Sequence, residues 1–268
     1  TKGKLGREHM IGLPQNRTEE SLRDALRRQG VDPDYGVVVT DVATTQDQAT
    51  VTFADGAQQT FDWVIAADGV GSTARQALGI AYPGTDLPGE WSIADVDLSG
   101  PFDENGVTVY VQGRGQFGMV LPIERRRARI VSSTEDALAA LPEPVQIAHI
   151  RRKATFKISV RQAEVYQKGR VLLAGDAAHC HSPVGGKGMN LGIADGIAAA
   201  QAIANNTTDH YTTERHAAAA RVMAASEFGR KVILSDRLAV KALTRVATWL
   251  AGHIPAIGRI FMRNLTQL

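Results

Sequence analysis

The chain has 268 residues, 44% of them hydrophobic and 22% charged, with a formal net charge of +2. That length buries one large core, or a core with a smaller attached domain, and the mixed, nearly balanced charge offers no footprint for nucleic acid. A single cysteine, Cys180, excludes an internal disulfide framework and suits a reducing cytoplasm, and no apolar run is long enough to span a bilayer. Thr1–Met10 also lack the apolar stretch of a signal peptide, so a cytoplasmic protein without membrane partners is expected.

The first element is a helix within residues 14–31. Asn16 or Thr18 stands as its cap, carboxylates fill its first turn, Gly30 ends it, and Leu22 and Leu26 share one face. Alternation and β-branched residues predict strands at Gly36–Val42, Ala49–Phe53 and Gln58–Phe61, the last two joined by an Ala-Asp-Gly turn. Trp63–Ala67 is continuously apolar and reads as a strand buried on both faces. Between residues 82 and 161 proline and glycine punctuate short strand-like runs at Ser92–Leu98, Val107–Gln112, Gln116–Pro122, Arg129–Ser133 and Ala154–Val160. This texture predicts an antiparallel sheet inserted as a second domain. Arg170–Asp176 returns to a buried strand that ends in a Gly-Asp turn. Helices follow at Met189–Ala204, Thr212–Ser235 and Leu238–Ala251.

Residues 69–74 spell G-x-G-x-x-A directly after an apolar strand, which raises the question of a dinucleotide-binding Rossmann unit. Such a unit needs a helix and then a second parallel strand ending in an acidic residue. Here a short helix reaches Leu78, and then Gly79, Pro83, Gly84, Pro88 and Gly89 break the chain. Glu90 has no strand to sit on, so the Rossmann reading is rejected.

A different pattern is more informative. Asp68 and Asp176 each stand where a buried strand ends beside a glycine. Carboxylates at the carboxyl ends of strands in an α/β sheet accept hydrogen bonds from sugar or polyol hydroxyls. Ordinary Asp-Gly turns are the plainer alternative for either one alone. Asp176 is followed by Pro183, which stiffens the chain, and by Gly185, Gly186 and Gly188, which open into the alanine-rich helix. Bare glycines let a flat ligand approach, and the free N–H groups of a helix start favour an anion or an electron-rich oxygen.

His179, Cys180 and His181 are metal-ligand types, but neighbouring residues rarely converge on one ion, so they are read as structural and no metal is expected. Glu124–Arg129 reads as a solvated hairpin tip rather than a phosphate contact. No G-x-S-x-G elbow supports a hydrolase. The stripe Val240, Leu243, Val246 and Leu250 is expected to be helix core rather than a membrane anchor.

The run Gly175-Asp176-Ala177-Ala178-His179, Pro183, Gly186, Gly188, Asn190 and Asp195 resembles the hallmark of the FAD-dependent aromatic hydroxylases, the p-hydroxybenzoate hydroxylase-like family. Asp68, Gly69, Ser72 and Arg75 match the family's second motif, and Gln15 and Arg17 match a weaker one before a helix. The resemblance covers the chain from about Ile11. It implies an α/β fold: an FAD-binding sheet with helices, an inserted, mostly antiparallel substrate-domain sheet, and C-terminal helices. Residues 1–80 and 162–268 would form the FAD-binding domain and 81–161 the substrate domain.

By the same resemblance Asp176 contacts the ribityl or ribose part of FAD. Gly175 and Gly69 flank the two strand ends, and Gly188, Met189 and Asn190 offer backbone to the pyrimidine edge of the flavin. Asp68 and Arg75 belong to a motif linked to FAD and NAD(P)H. The implied activity is monooxygenation of an aromatic or polyketide-like small molecule with NAD(P)H and O₂. The resemblance leaves room for a homodimer and names no catalytic side chain. Family members begin with a strand–G-x-G-x-x-G–helix unit that grips the ADP half of FAD. None precedes the first helix here, so a chain lacking that unit is expected. Two alternatives stay open: a flavin-dependent reductase of an isoprenoid-type substrate, and a truncated, non-catalytic flavoprotein remnant.

Overall fold

The computed structural model describes residues 12–104, 106–113, 116–142 and 145–254. Helix α1 (Gln15–Arg27) is followed by strands β1 (Val39–Thr44), β2 (Ala49–Phe53), β3 (Gln58–Phe61) and β4 (Val64–Ala66), then by the short α2 (Thr73–Ala77). Next come β5 (Gly84–Asp86), β6 (Trp91–Leu98), β7 (Thr108–Gly113), β8 (Gln116–Glu124), β9 (Arg127–Ser132), β10 (Ile147–Phe156) and β11 (Ser159–Gln162). The hairpin of β12 (Gln167–Lys168) and β13 (Val171–Leu173) leads through a 3-10 turn at Gly175–Ala177 to β14 (His179–Cys180). Helices α3 (Gly188–Ala204), α4 (Tyr211–Ile233) and α5 (Leu238–His253) follow.

The chain forms two compact units. One comprises Asp34–Leu87 with Ile158–Gly229; the other comprises Pro88–Lys157 with residues 12–33 and 230–254. The first holds three small sheets, ordered β1-β2-β3, β14-β11-β5 and β12-β13-β4. In the last, β13 is central and runs parallel to β4, with Leu172 opposite Ile65 and Leu173 opposite Ala66. Val171, Leu172 and Leu173 are fully buried, as suits a strand flanked on both edges. Each contributes roughly 1.5–3 kcal/mol of burial. Leu191 of α3 and Tyr211 of α4 join them in one core, and the Tyr211 hydroxyl donates to the Leu173 carbonyl at 2.8 Å.

The second unit is built on an antiparallel sheet ordered β10-β6-β9-β8-β7. Ala94, Val96 and Leu98 of β6, Ile130 of β9 and Val120 of β8 form its core, with Ala137 and Leu141 from the β9–β10 connection. Alternation along β6 sends Asp95 to the opposite face from Ala94 and Val96. The β6–β9 register sets Asp95 across from Arg129, whose Nε and Nη2 donate to the two carboxylate oxygens at 2.7 and 2.9 Å. The hairpin tip foreseen at Glu124–Arg129 is therefore only Arg125 and Arg126. Arg126 takes a left-handed φ of 55° and donates to the Leu98 and Ser99 carbonyls.

Several expected elements differ in detail. Helix α1 begins at Gln15 behind Pro14, whose φ of −58° suits a helix entry. Asn16 and Thr18 thus lie inside the helix, no side chain caps it, and its first turn holds no acid. Strand β1 starts at Val39 rather than Gly36. Strand β4 is not buried on both faces: it lies at the edge of its sheet among the described residues, and Ile65 is 39% exposed. A short strand, β5, does follow α2, but it pairs antiparallel with β11 and not with β4, so no Rossmann crossover forms. The strand expected at Ala154–Val160 is two strands, β10 and β11, in different sheets. The stripe expected as core on α5 is only partly covered: Val240 and Leu250 are half-buried, but Leu243 is 69% and Val246 54% exposed, because periodicity marks a face without saying what covers it.

The Asp95–Arg129 pair gives a measurable consequence. Asp95→Asn leaves the guanidinium without its carboxylate and is expected to lower stability at pH 7 by about 2 kcal/mol in denaturant unfolding. The Arg129 hydrogen bonds hold the Asp95 carboxyl below its ordinary range against the opposing effect of burial. Its contribution is thus complete above about pH 4 and is lost as pH falls through the lower folded-state value. The gap between wild type and variant should shrink on acidification; a gap constant down to about pH 2 would assign the loss to something other than this ion pair.

Candidate functional site

The parallel pairing of β4 and β13 continues to the Ala174 N–H, which donates to the Ala66 carbonyl at 2.9 Å. Two residues farther along each strand stand Asp68 and Asp176, so both carboxylates emerge at the same end of the sheet. Gly69 (φ 81°) and Gly175 (φ 60°) turn the chain there in a conformation that side-chain-bearing residues rarely adopt.

The two aspartates are used differently. Asp68 Oδ2 accepts the Ala74 N–H at 3.0 Å and Ser72 Oγ accepts the Arg75 N–H at 3.0 Å, so the G-x-G-x-x-A stretch builds the capped start of α2. Asp176 is exposed, and among the described residues its carboxylate accepts no hydrogen bond. Arg75 is buried. Its Nη1 donates to the Ala177 carbonyl at 2.9 Å and its Nη2 to the Val70 carbonyl at 2.7 Å, and its guanidinium lies 3.8 Å from the Tyr82 ring centroid. The Tyr82 hydroxyl donates to the Asp176 carbonyl at 2.9 Å. Burial pushes the Tyr82 phenol well above its ordinary range, which keeps it a donor. Arg75 is thus a tie between the turns after β4 and β13 rather than a side chain reaching into open space.

Beneath the turn after β13, Asp195 of α3 is fully buried. Its Oδ2 accepts the Gly175 N–H at 3.0 Å and lies 2.6 Å from His179 Nε2, while its Oδ1 accepts Arg215 Nε at 2.7 Å. Gly192 permits the approach of α3, since a methyl there would stand 3.3 Å from the Gly175 Cα.

The glycine loop follows. Pro183 accepts the Gly186 N–H at 2.9 Å in a tight turn, and Gly185 (φ 94°) and Gly186 (φ 63°) take left-handed conformations. A Cβ added at Gly186 would meet nothing within 4 Å, so the space beside it is open. The first bond of α3 runs from the Leu191 N–H to the Lys187 carbonyl, and no side chain caps the helix. The N–H groups of Gly188, Met189 and Asn190 therefore have no acceptor within the helix. Burial lowers the pKa of both Lys187 and His181 beside them. A flat ring with an electron-rich edge fits this arrangement: open space beside bare glycines, free N–H groups, and an unengaged carboxylate at the neighbouring strand end.

Gln15 and Arg17 lie elsewhere, on α1 in the sheet unit. Gln15 donates to Glu19, and Arg17 pairs with Glu20 and, at 3.7 Å, with Glu124. Sequence reasoning assigned no site role to Asp195, Arg215 or Tyr82. One signal was available for Asp195: a carboxylate within an alanine-rich, buried helix must have partners.

Residues 3–226 match the family model described as "FAD binding domain". The chain belongs to this FAD-binding family. Pentachlorophenol 4-monooxygenase of Sphingobium chlorophenolicum is 31% identical over 273 residues, spanning 88% of this chain and 50% of that protein. Dialkyldecalin synthase of Streptomyces rugosporus is 30% identical, spanning 92% of this chain and 58% of that protein. The solved structure of the anhydrotetracycline hydroxylase OxyS from Streptomyces rimosus superposes with a TM-score of 0.75 at 30% identity, over 95% of this chain and 56% of that one. The chain spans about half the length of the relatives it matches. Both the motif resemblance and the expected fold class, an α/β unit with an inserted antiparallel sheet and C-terminal helices, are borne out. FAD is the cofactor of the family.

The tie made by Arg75 can be tested directly. Arg75→Met keeps the bulk of the side chain but strands the Val70 and Ala177 carbonyls and removes the contact with Tyr82. A loss of about 2–3 kcal/mol in denaturant unfolding is expected. A loss below about 0.5 kcal/mol would mean that the two turns hold their places without it.

Proposed function

We propose that this chain is the FAD-holding part of a monooxygenase that hydroxylates an aromatic or polyketide-like small molecule with NAD(P)H and O₂. The observation that carries the reading is the conjunction at one sheet end of an unengaged Asp176 carboxylate, a glycine loop with open space beside it, and the uncapped start of α3. Asp176 would accept hydrogen bonds from ribityl or ribose hydroxyls. Pro183, Gly186 and Gly188 would keep the ring's approach clear, and the N–H groups of Gly188, Met189 and Asn190 would stabilise negative charge at its pyrimidine edge. Asp68, Gly69, Arg75 and Gly175 would hold the strand ends in register for that contact. The motif resemblance adds Gln15 and Arg17 of α1 to the residues proposed to contact the flavin. Bound FAD supplies electron transfer from NAD(P)H and the activation of O₂. The protein's share is to bind, orient and exclude water. The names of a pentachlorophenol monooxygenase and an anhydrotetracycline hydroxylase among the relatives support an aromatic substrate. The single, buried Cys180 and the lack, among the described residues, of any helix long and apolar enough to cross a membrane support a cytoplasmic setting.

A second reading has its own support, since a relative of similar identity is named a dialkyldecalin synthase. The same scaffold would then serve a synthase reaction rather than oxygenation. The two separate cleanly. The protein that carries this chain is expected to purify yellow or to take up added FAD, and to consume O₂ with NAD(P)H in the presence of a phenolic substrate. Asp176→Asn should weaken FAD binding at least tenfold. Tight FAD binding without any NAD(P)H-dependent O₂ uptake favours the synthase, and failure to bind FAD at all refutes both.

A further inference from the structure

We propose that Asp195 is the positioning residue of this site: by gripping the Gly175 N–H from below it fixes where the Asp176 carboxylate is presented. The inference rests on the reading of Asp176 as a flavin contact and adds a residue that the motif alone leaves without a task.

The backbone around Asp176 is held on every side. Its own carbonyl accepts the Tyr82 hydroxyl, and the next carbonyl, of Ala177, accepts Arg75 Nη1. The amide just before it, of Gly175, donates to Asp195 Oδ2. Arg75 and Tyr82 therefore hold the carbonyl side of the turn, and Asp195 holds the amide side. The Asp176 carboxylate is left without a hydrogen-bond donor among the described residues. A carboxylate attached to backbone held at one polar group on each of three successive residues is preorganised for its ligand, which lowers the ordering cost on binding.

Asp195 can do this because its own surroundings are complete. Arg215 offsets its charge through Oδ1, and His179 shares Oδ2 with Gly175. A carboxylate oxygen only accepts, so the contact requires the proton on His179 Nε2. His179 Nδ1 is buried without a partner among the described residues. The close approach of Gly192 to Gly175 brings the carboxylate within reach of the amide.

A merely structural ion pair predicts different results from a positioning one, so the test is a double-mutant cycle. FAD affinity is measured for wild type, Asp176→Asn, Asp195→Asn and the double variant. Each single change is expected to weaken binding at least tenfold, and the double variant to bind no more weakly than the worse single one, because Asp195 acts through Asp176. Exchange of the Gly175 amide with solvent should quicken at least tenfold in Asp195→Asn, while the amides of Leu172 and Leu173 stay protected. In the wild-type ¹⁵N spectrum His179 should show a protonated Nε2. If Asp195→Asn does not fold, Gly192→Ala separates the turn from α3 without altering charge and should reproduce both the affinity loss and the faster Gly175 exchange. Additive losses in the cycle, an unchanged Gly175 amide in a folded variant, or a His179 Nε2 without a proton would overturn the proposal. If instead Asp176→Asn binds FAD as wild type does, the reading of Asp176 falls, and the Gly175 and His179 measurements still judge the grip by themselves.

Discussion

The parallel pairing of β4 with β13 is the constraint on which the site depends. These strands are three residues each and lie about a hundred positions apart in the chain. Their register sets two glycine turns and two aspartates at one end of one sheet. Every other feature of the site is a response to that juxtaposition. Arg75 bridges the two turns, Tyr82 covers its guanidinium and holds the Asp176 carbonyl, and α3 descends onto the second turn through Gly192. Loss of the pairing would separate groups that no local sequence preference could bring back together.

Buried polar groups here are arranged rather than avoided. Asp195, His179 and Arg215 form one connected cluster, and Arg75 is nearly as buried as its apolar neighbours. Such groups are tolerated in a core only when their hydrogen bonds are largely met, and meeting them fixes geometry. Asp176 stands in contrast. The same residue type, at the open end of the sheet, is left exposed and unengaged among the described residues. That difference in environment separates the scaffold from the surface offered to a ligand.

The sheet unit follows the same logic with less chemistry. Its apolar face is closed by Ala137 and Leu141, and on the other face the Asp95–Arg129 pair ties β6 to the central strand β9. Relatives that share this fold are named for the oxidation of pentachlorophenol, for the hydroxylation of anhydrotetracycline and for the synthesis of a dialkyldecalin. A common scaffold with divergent reactions is expected where the cofactor carries the chemistry and the protein varies the walls around it.

Much of this was legible in the amino-acid order. Strands β2 and β3 lie where alternation and the Ala-Asp-Gly turn place them, and α3 begins within a residue of its predicted start, because these features depend on neighbours in sequence. The glycine loop and the Gly-Asp turn were equally readable, since closely spaced glycines beside a proline or an aspartate favour a turn and little else. Partnership was not readable. The chain could not reveal that β4 would lie at a sheet edge with Ile65 half-open, that Ala154–Val160 would divide between two sheets, or that Leu243 and Val246 on α5 would stay exposed. Nor could it show that Arg75 would be consumed by two carbonyls while Asp195 took hold of the Gly175 amide. Local spacing encodes which face a residue occupies, but what meets that face is decided by contacts between segments far apart in sequence, and those exist only once the chain has folded.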